Sequence, residues 1–171
     1  MADLISGQDA VFMLEALKEA ESAAARGDYG IGAVIIHNGE IISRAGNRII
    51  SSGGFQWQHA ENLASRQIEN TSYFKPPLVK ELSVYTTLGP CPQCWGMMVV
   101  NGIGKVVYGA SDEISTQRYE EESVVPTIFR ANMPKIEKLQ GRPDLEARCV
   151  ELFLQSASAI DAKLGYQRES V

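Results

Sequence analysis

The chain has 171 residues, about the size of one ordinary domain and long enough to bury a core without disulfides. Hydrophobic residues make up 44% of it and charged residues 22%, which excludes extended disorder. Sixteen Lys and Arg against twenty-one Asp and Glu give a net charge of −5, which disfavours nucleic-acid binding through a broad basic surface. Because the sequence has no apolar run of membrane-spanning length and no signal peptide, we expect a soluble, cytoplasmic protein.

Helices and strands alternate along the chain. Apolar periodicity and turn signals predict helices at 9–26, 59–70, 91–101 and 144–164, and strands at 31–36, 41–45, 82–87 and 105–108. Asp9 is the expected cap of the first helix. Asn38-Gly39 is typical of a tight hairpin turn, so the first two strands are antiparallel and the layered α/β sheet is mixed. Residues 114–143 contain three prolines and predict only short elements.

Two short motifs carry the strongest chemical signal, namely His59-Ala60-Glu61 and Pro90-Cys91-Pro92-Gln93-Cys94. The two cysteines stand one helical turn apart at the start of a predicted helix, where the helix dipole favours thiolates. The histidine begins another predicted helix and supplies a third ligand. One nitrogen and two sulfurs suit Zn²⁺ better than Mg²⁺ or Ca²⁺, which prefer oxygen ligands. We therefore predict one Zn²⁺ per chain, held by His59, Cys91 and Cys94.

Three protein ligands leave one position of a tetrahedral zinc site open, which is typical of catalytic rather than structural sites. Zinc lowers the pKa of a bound water to roughly 7, so that the water becomes a nucleophile at neutral pH. Glu61 is close enough in sequence to exchange a proton with that water as a general acid and base. The alternatives are a closed structural zinc site, which needs a fourth ligand, and a redox-active cysteine pair.

These motifs make the sequence resemble the cytidine deaminase-like superfamily, in the branch of cytosine deaminase, guanine deaminase and tRNA adenosine deaminase. The resemblance runs from about residue 31 to residue 112. Besides the two motifs it includes Gly32-Ala33-Val34, Gly46-Asn47-Arg48, Tyr85-Thr86-Thr87-Leu88-Gly89 and residues 102–112. Two positions depart from the family pattern: Trp57 replaces a common proline, and Gly89 replaces a common glutamate.

The resemblance implies a three-layer α/β/α fold with a central mixed five-stranded sheet, usually as a homodimer. It assigns the zinc to the ligands named above and proton transfer to Glu61. Asn47 matches an asparagine that hydrogen-bonds the base or sugar, and the backbone amides near Ala60 and Cys91 would hold the substrate ring. We expect residues 1–171 to form a single zinc-dependent deaminase domain, with a variable C-terminal helical region from about residue 113.

Several other residues have more than one interpretation. Trp57 and Trp95 either pack in the core or line a pocket for a flat base, because aromatic rings do both. Cys149 is expected to be a buried core residue, and His37 a solvated residue at the hairpin tip. We expect residues 51–58 and 114–125 to form the walls that select the substrate.

Three functions are compatible with these patterns. The first is a hydrolytic deaminase of a small-molecule base or nucleoside, which the acidic composition favours. The second is a tRNA adenosine deaminase acting on a flipped anticodon base; residues 107–112 favour it, and the net charge disfavours it. The third is a catalytically idle zinc scaffold, against which Glu61 argues. The apolar run at residues 97–100 also predicts a homodimer interface.

Overall fold

The computed structural model describes residues 2–111 and 125–165, with the backbone alone at residues 2–6. Within these ranges the elements, in chain order, are α1 (Ala2–Ala25), β1 (Gly32–His37), β2 (Glu40–Gly46), α2 (Ala60–Ile68), β3 (Ser83–Leu88), α3 (Pro92–Asn101), β4 (Lys105–Ala110), α4 (Thr127–Arg130), β5 (Lys135–Lys138) and α5 (Pro143–Leu164). Two short 3₁₀ helices, Ser72–Phe74 and Leu78–Glu81, connect α2 to β3.

The five strands form one mixed sheet in the order β2-β1-β3-β4-β5. β1 pairs antiparallel with both β2 and β3, whereas β3, β4 and β5 are parallel. The predicted hairpin turn is confirmed, because Asn38 and Gly39 have φ angles of 50° and 80° and such turns need positive φ at both central residues. The predicted five-stranded mixed sheet is confirmed as well.

Helices cover both faces of the sheet, as the three-layer prediction requires. Successive strand residues point to opposite faces, so Val34 packs in the core beneath α1 and α5, and Ile35 in the core beneath α2 and α3. Met13 and Leu152 fill the first core, and Met98 belongs to the second. The two cores together enclose the sheet and fix where its strands end.

Two predicted details are wrong. The first helix begins at Ala2 rather than at Asp9. Asp9 lies inside the helix, and its carboxylate accepts a hydrogen bond from the hydroxyl of Tyr85 on the sheet instead of capping the helix. The prediction from strand patterns also missed β5. This strand has four residues, follows Pro134 and contributes only Ile136 to the apolar side, so its periodicity is too short to detect.

One edge of the sheet collects the segments that matter most. β2 and β3 end there, at Gly46 and Leu88, and the antiparallel β1 begins there at Gly32. Gly32 also lets α1 pack closely, because a Cβ atom at this position would lie 2.1 Å from the carbonyl oxygen of Ala16. Among the residues described, no helix combines the length and apolar character needed to cross a membrane.

Candidate active site

Two helix N-termini meet at this edge and carry both sequence motifs. His59 is the N-cap residue of α2, and Cys91 is the N-cap residue of α3, each in an extended conformation. Pro92 favours this start of α3, because its fixed φ suits the first helical position and its missing N–H is not needed there. The positive ends of both helix dipoles therefore point at the same small volume, where they stabilise thiolate and carboxylate groups.

The three predicted metal ligands converge there. Nδ1 of His59 lies 3.4 Å from Sγ of Cys91 and 3.6 Å from Sγ of Cys94, and all three donor atoms lie within 4.8 Å of one another. A tetrahedral Zn²⁺ with bonds of about 2.3 Å to sulfur and about 2.0–2.1 Å to nitrogen places such donors about 3.6 Å apart. The donor types and spacing therefore fit one Zn²⁺, with Nδ1 as the ligating atom of His59.

Glu61 completes this group without belonging to the donor set. Its side chain is buried, with 4% exposure, although carboxylates are rarely buried without partners. One carboxylate oxygen lies 3.4 Å from Sγ of Cys94, and the other lies 3.3 Å from Oγ1 of Thr86 on β3. Burial raises the pKa of Glu61, opposed in part by His59. The raised pKa favours protonation of this carboxyl group relative to an exposed one, as suits a group that takes up a proton and passes it on.

The two thiols differ in ionisation. The hydrogen bond with Cys94, aided by His59, lowers the pKa of Cys91 to about 4. The same contact with Cys91, together with burial and Glu61, raises the pKa of Cys94 well above its ordinary value. Burial alone would lower the pKa of His59, but its hydrogen bond to Cys91 and the nearby negative charges raise it overall. A divalent cation among these atoms would stabilise both thiolates and the neutral imidazole.

A central cavity of about 200 Å³ opens onto these groups. This volume is below the range of roughly 300–1,000 Å³ for drug-sized ligands, so the cavity suits a single small ring system. Its walls are mainly apolar, which suits the flat face of an aromatic ring. The cavity is lined by Tyr29, Ile31, Asn47, Ile49, Gln56, His59, Glu61, Leu88, Gly89, Cys91 and Phe153.

Asn47 presents an unsatisfied donor to the cavity. Its Oδ1 accepts a hydrogen bond of 3.0 Å from the backbone N–H of Ile49, which fixes the orientation of the amide. Its Nδ2 is buried and, among the described residues, has no hydrogen-bond partner. Because leaving such a donor unpaired costs about 1–3 kcal/mol, the position fits a ligand that accepts a hydrogen bond. Asn47 thus lines the same cavity as His59 and Glu61.

The C-terminal helix α5 supplies one wall, which the sequence patterns did not reveal. Phe153 of α5 stacks on Tyr29, with 6.3 Å between ring centroids, and the Tyr29 hydroxyl bonds Asp161 at 2.5 Å. Gly30 lets the chain approach this helix, since a Cβ atom there would lie 2.5 Å from the carbonyl oxygen of Leu152. Nothing in the periodicity of the helix predicted at 144–164 distinguishes Phe153 from its other apolar residues, so its place at the cavity depends on the tertiary fold.

Two residues predicted as substrate contacts lie elsewhere. Trp57 is 60% exposed and lines a separate cavity between α2 and α3, because its loop turns it outward. Trp95 is buried on α3 and lines an apolar groove with Val125 and Phe129. Ala60 is buried directly beside His59, so its backbone amide remains a candidate contact. Of the two predicted walls, residues 51–58 contribute Gln56, whereas residues 112–124 lie outside the described residues.

Of two further expectations, for Cys149 and His37, one is confirmed and the other is wrong. Cys149 is buried in the core, as predicted, and burial raises the pKa of its thiol to about 12. His37 is not a solvated turn residue, because its ring packs against Tyr73 and its Nε2 lies 3.0 Å from the Glu81 carboxylate. These partners lie in the two 3₁₀ helices between α2 and β3, and the His37 side chain is only 13% exposed.

Comparisons with known proteins agree with this geometry. The chain is 40% identical over 105 residues to the tRNA-specific adenosine deaminase of Bacillus subtilis, covering 61% of this chain and 63% of that enzyme. It is 28% identical over 126 residues to a probable cytosine deaminase of Schizosaccharomyces pombe, covering 73% of this chain and 74% of that protein. A structure from a study of A-to-I editing by tRNA:A34 deaminases superposes with a TM-score of 0.64 at 30% identity, covering 75% of this chain and 97% of that one.

Residues 6–110, more than half of the chain, match the family described as the cytidine and deoxycytidylate deaminase zinc-binding region. The predicted superfamily is confirmed, and the family that matches is one of zinc-binding deaminases. The donor set of one imidazole and two thiolates fits that metal. The chain therefore belongs to the cytidine and deoxycytidylate deaminase zinc-binding family.

Proposed function

We propose that the protein catalyses hydrolytic deamination of a nucleobase, replacing an exocyclic amino group with a carbonyl and releasing ammonia. The observation that carries this proposal is the buried Glu61 carboxylate, 3.4 Å from a thiol of the His59, Cys91 and Cys94 group. A structural zinc site has no use for a buried carboxylate at this position, whereas a hydrolytic site needs a proton carrier there.

The proposed reaction has two proton transfers, both assigned to Glu61. Zinc, when held by the three ligands, supplies a Lewis acid that activates water for attack at neutral pH. Glu61 takes a proton from the attacking water and gives it to the ring nitrogen beside the carbon that bears the amino group. Glu61 then carries the remaining hydroxyl proton to the amino group, the carbon–nitrogen bond breaks, and ammonia leaves. Because the cavity is small, the carboxylate is close to both the ring nitrogen and the amino group, so that one carboxylate serves both transfers.

The remaining cavity residues position the base. The free Nδ2–H group of Asn47 donates to an acceptor on the base or its sugar, and the apolar side chains Ile31, Ile49 and Leu88 contact the faces of the ring. Gly89 lines the cavity without a side chain, which leaves room at that rim. These contacts orient the ring without choosing between the bases that bear an exocyclic amine.

Ammonia release is the direct test of this proposal. Zinc-loaded protein is incubated with cytosine, guanine, adenine, their nucleosides and unfractionated tRNA, and ammonia is measured for each. Release from at least one substrate, abolished by removing zinc, is the expected result. Release from none of them would contradict the proposal and favour a catalytically idle zinc scaffold.

A base presented within tRNA is a second candidate substrate, and the relatives favour it. Both the Bacillus subtilis enzyme and the superposed structure are described as acting on tRNA. Adenosine converted to inosine in tRNA, with free adenine, cytosine and guanine left unchanged, would select this candidate. Conversion of a free base alone would select the small-molecule candidate.

We also propose that the protein forms a homodimer. Val100, which follows the buried Met98 and Val99 on α3, remains exposed, and α3 borders an apolar groove lined by Gly96 and Phe129. Contact with a second copy would cover this surface. Analytical ultracentrifugation at micromolar concentration should detect a dimer, and a single species at the monomer mass would contradict it.

A further inference from the structure

The loop before His59 places two large aromatic side chains in solvent beside the central cavity. Phe55 is 54% exposed and Trp57 is 60% exposed, while Gln56 between them lines the central cavity. The two rings are almost parallel, with 9° between their planes and 6.0 Å between their centroids. This exposed aromatic pair presents flat faces of the kind on which unpaired bases stack.

The same loop borders a second cavity, at the β2 edge of the sheet, which four arginines line. We call it the arginine cavity; its arginines are Arg26, Arg44, Arg48 and Arg66. Arg26 is already engaged by Asp28 and by the carbonyl oxygen of Asn47, and Arg44 by Glu15.

The other two arginines have no such partner in the part of the chain that the structure describes. Among the residues described, the guanidinium groups of Arg48 and Arg66 have neither a hydrogen bond nor an ion pair, although Glu19 lines the arginine cavity and Glu69 lines the cavity beside Arg66. Two arginines that have no partner within residues 2–111 and 125–165 are notable in a chain whose net charge is −5. Their local field matters more than the net charge, because ions screen charges beyond about 10 Å at 0.1 M salt.

The arginine cavity and the central cavity share a wall. Asn47 lines the central cavity and its neighbour Arg48 lines the arginine cavity, while His59 and its neighbour Gln58 repeat this arrangement. A backbone hydrogen bond of 2.9 Å from Arg48 to Gln58 joins the two segments. Since consecutive Cα atoms are about 3.8 Å apart, the free Arg48 begins one short step from the base-binding amide.

We propose that Phe55, Trp57, Arg48 and Arg66 form a binding surface for single-stranded nucleic acid. The base in the central cavity is the reacting base, the flanking bases stack on Phe55 and Trp57, and the adjacent phosphates pair with Arg48 and Arg66. This inference rests on the proposed function, because it takes the central cavity to hold the base that reacts. A mononucleotide ligand would account for the two arginines but not for the exposed aromatic pair. A second copy of the chain would account for the aromatic pair but not for the arginines.

Binding is measured by fluorescence anisotropy with a labelled, unstructured RNA of about 12 nucleotides, across a series of salt concentrations and with zinc-loaded protein. Two double variants each remove one half of the surface. One combines Arg48→Gln with Arg66→Gln, and the other combines Phe55→Ala with Trp57→Ala. Arg148→Gln and Val11→Ala are matched controls, because they remove one exposed arginine and one exposed apolar side chain from the α1 and α5 layer.

The two double variants should weaken binding in different ways. Loss of two phosphate contacts should lower the slope of log Kd against log salt by about 1.4, or about 0.7 for each arginine. Loss of the aromatic pair should raise Kd by about tenfold or more and leave the salt slope unchanged. The two controls should match the wild-type protein.

Several results would overturn the inference. The first is that the wild-type protein does not bind the RNA. The second is that either double variant binds the RNA as the wild-type protein does. Aromatic substitutions that dissociate a dimer without changing RNA affinity would assign the pair to a second copy instead. Free-base deamination without RNA binding would defeat this inference alone, whereas RNA binding as described without ammonia release from any substrate would defeat the proposed function alone.

Discussion

The floor and the walls of the central cavity are built in different ways. The floor groups come from two short segments, residues 59–61 and 91–94, and two helix N-termini place them. The walls combine segments from both ends of the chain, as in the bond between Tyr29 and Asp161, which are 132 residues apart in sequence. The reaction type is therefore encoded locally, whereas the shape that selects a substrate depends on tertiary packing.

The largest effect should follow from damaging the floor. Cys94→Ala removes a metal ligand from a fully buried position, so zinc content should fall to background and activity should disappear. Thermal stability should fall too, because metal binding at this site links the starts of α2 and α3. Metal analysis and a melting curve of the purified variant check this. Cys149→Ala is the matched control, since it removes a buried thiol outside the donor group and should keep its zinc.

The same floor predicts selective thiol chemistry after zinc is stripped. At pH 7 Cys91, with a pKa of about 4, is ionised, whereas Cys149, with a pKa of about 12, is almost wholly protonated. Iodoacetamide should therefore label Cys91 first, and labelling should slow only as the pH falls toward 4. Mass spectrometry of the digested protein identifies the labelled residue. Equal labelling of both cysteines, or labelling that zinc does not suppress, would refute the assignment.

Asn47 links the floor to the walls, and its loss should have an intermediate effect. Asn47→Ala removes the free donor, so kcat/KM should fall by about tenfold or more while zinc content stays unchanged. Asn47→Asp keeps the acceptor that holds the Ile49 N–H but not the donor, so it should show a loss at least as large. Activity in the aspartate variant close to wild type would mean that this donor does not contact the substrate.

The smallest effect should come from the wall on α5. Phe153→Ala shortens a half-buried side chain, so KM should rise several-fold while kcat changes less, because no proton transfer depends on it. The neighbouring Leu154 is exposed, and Leu154→Ala should leave both constants unchanged. Steady-state kinetics on the best substrate measure both. A large fall in kcat with unchanged KM would mean that Phe153 acts in the chemical step rather than in substrate binding.

Much of the fold follows from local sequence patterns. Asn38-Gly39 sets an antiparallel hairpin, and the alternation of apolar runs sets the layers, because both depend on residues close in sequence. The short β5 was missed because four residues are too few for a periodic pattern, whereas the start of α1 was missed because it depends on a distant residue. Asp9 looks like a cap until its carboxylate is seen to bond Tyr85, a contact across 76 residues that no local pattern records.

The candidate site divides in the same way. The spacing within His59-Ala60-Glu61 and Cys91-Pro92-Gln93-Cys94 predicted which groups would meet, since each motif occupies a single helix start. The two tryptophans were harder to place, because aromatic residues suit pockets, cores and surfaces alike. Trp95 lies in a core and Trp57 on the surface, and only the packing of their helix and loop decides which.

The central claim is that the donor group holds zinc while Glu61 alone moves the protons. Glu61→Gln tests it most directly, because the amide keeps the shape of the side chain and leaves every metal ligand in place. Zinc content should stay near one per chain, and activity should fall at least to the top of the range of about 10²–10⁴-fold for general acid and base groups, since Glu61 serves twice. Activity within about tenfold of wild type, with zinc still bound, would contradict the claim.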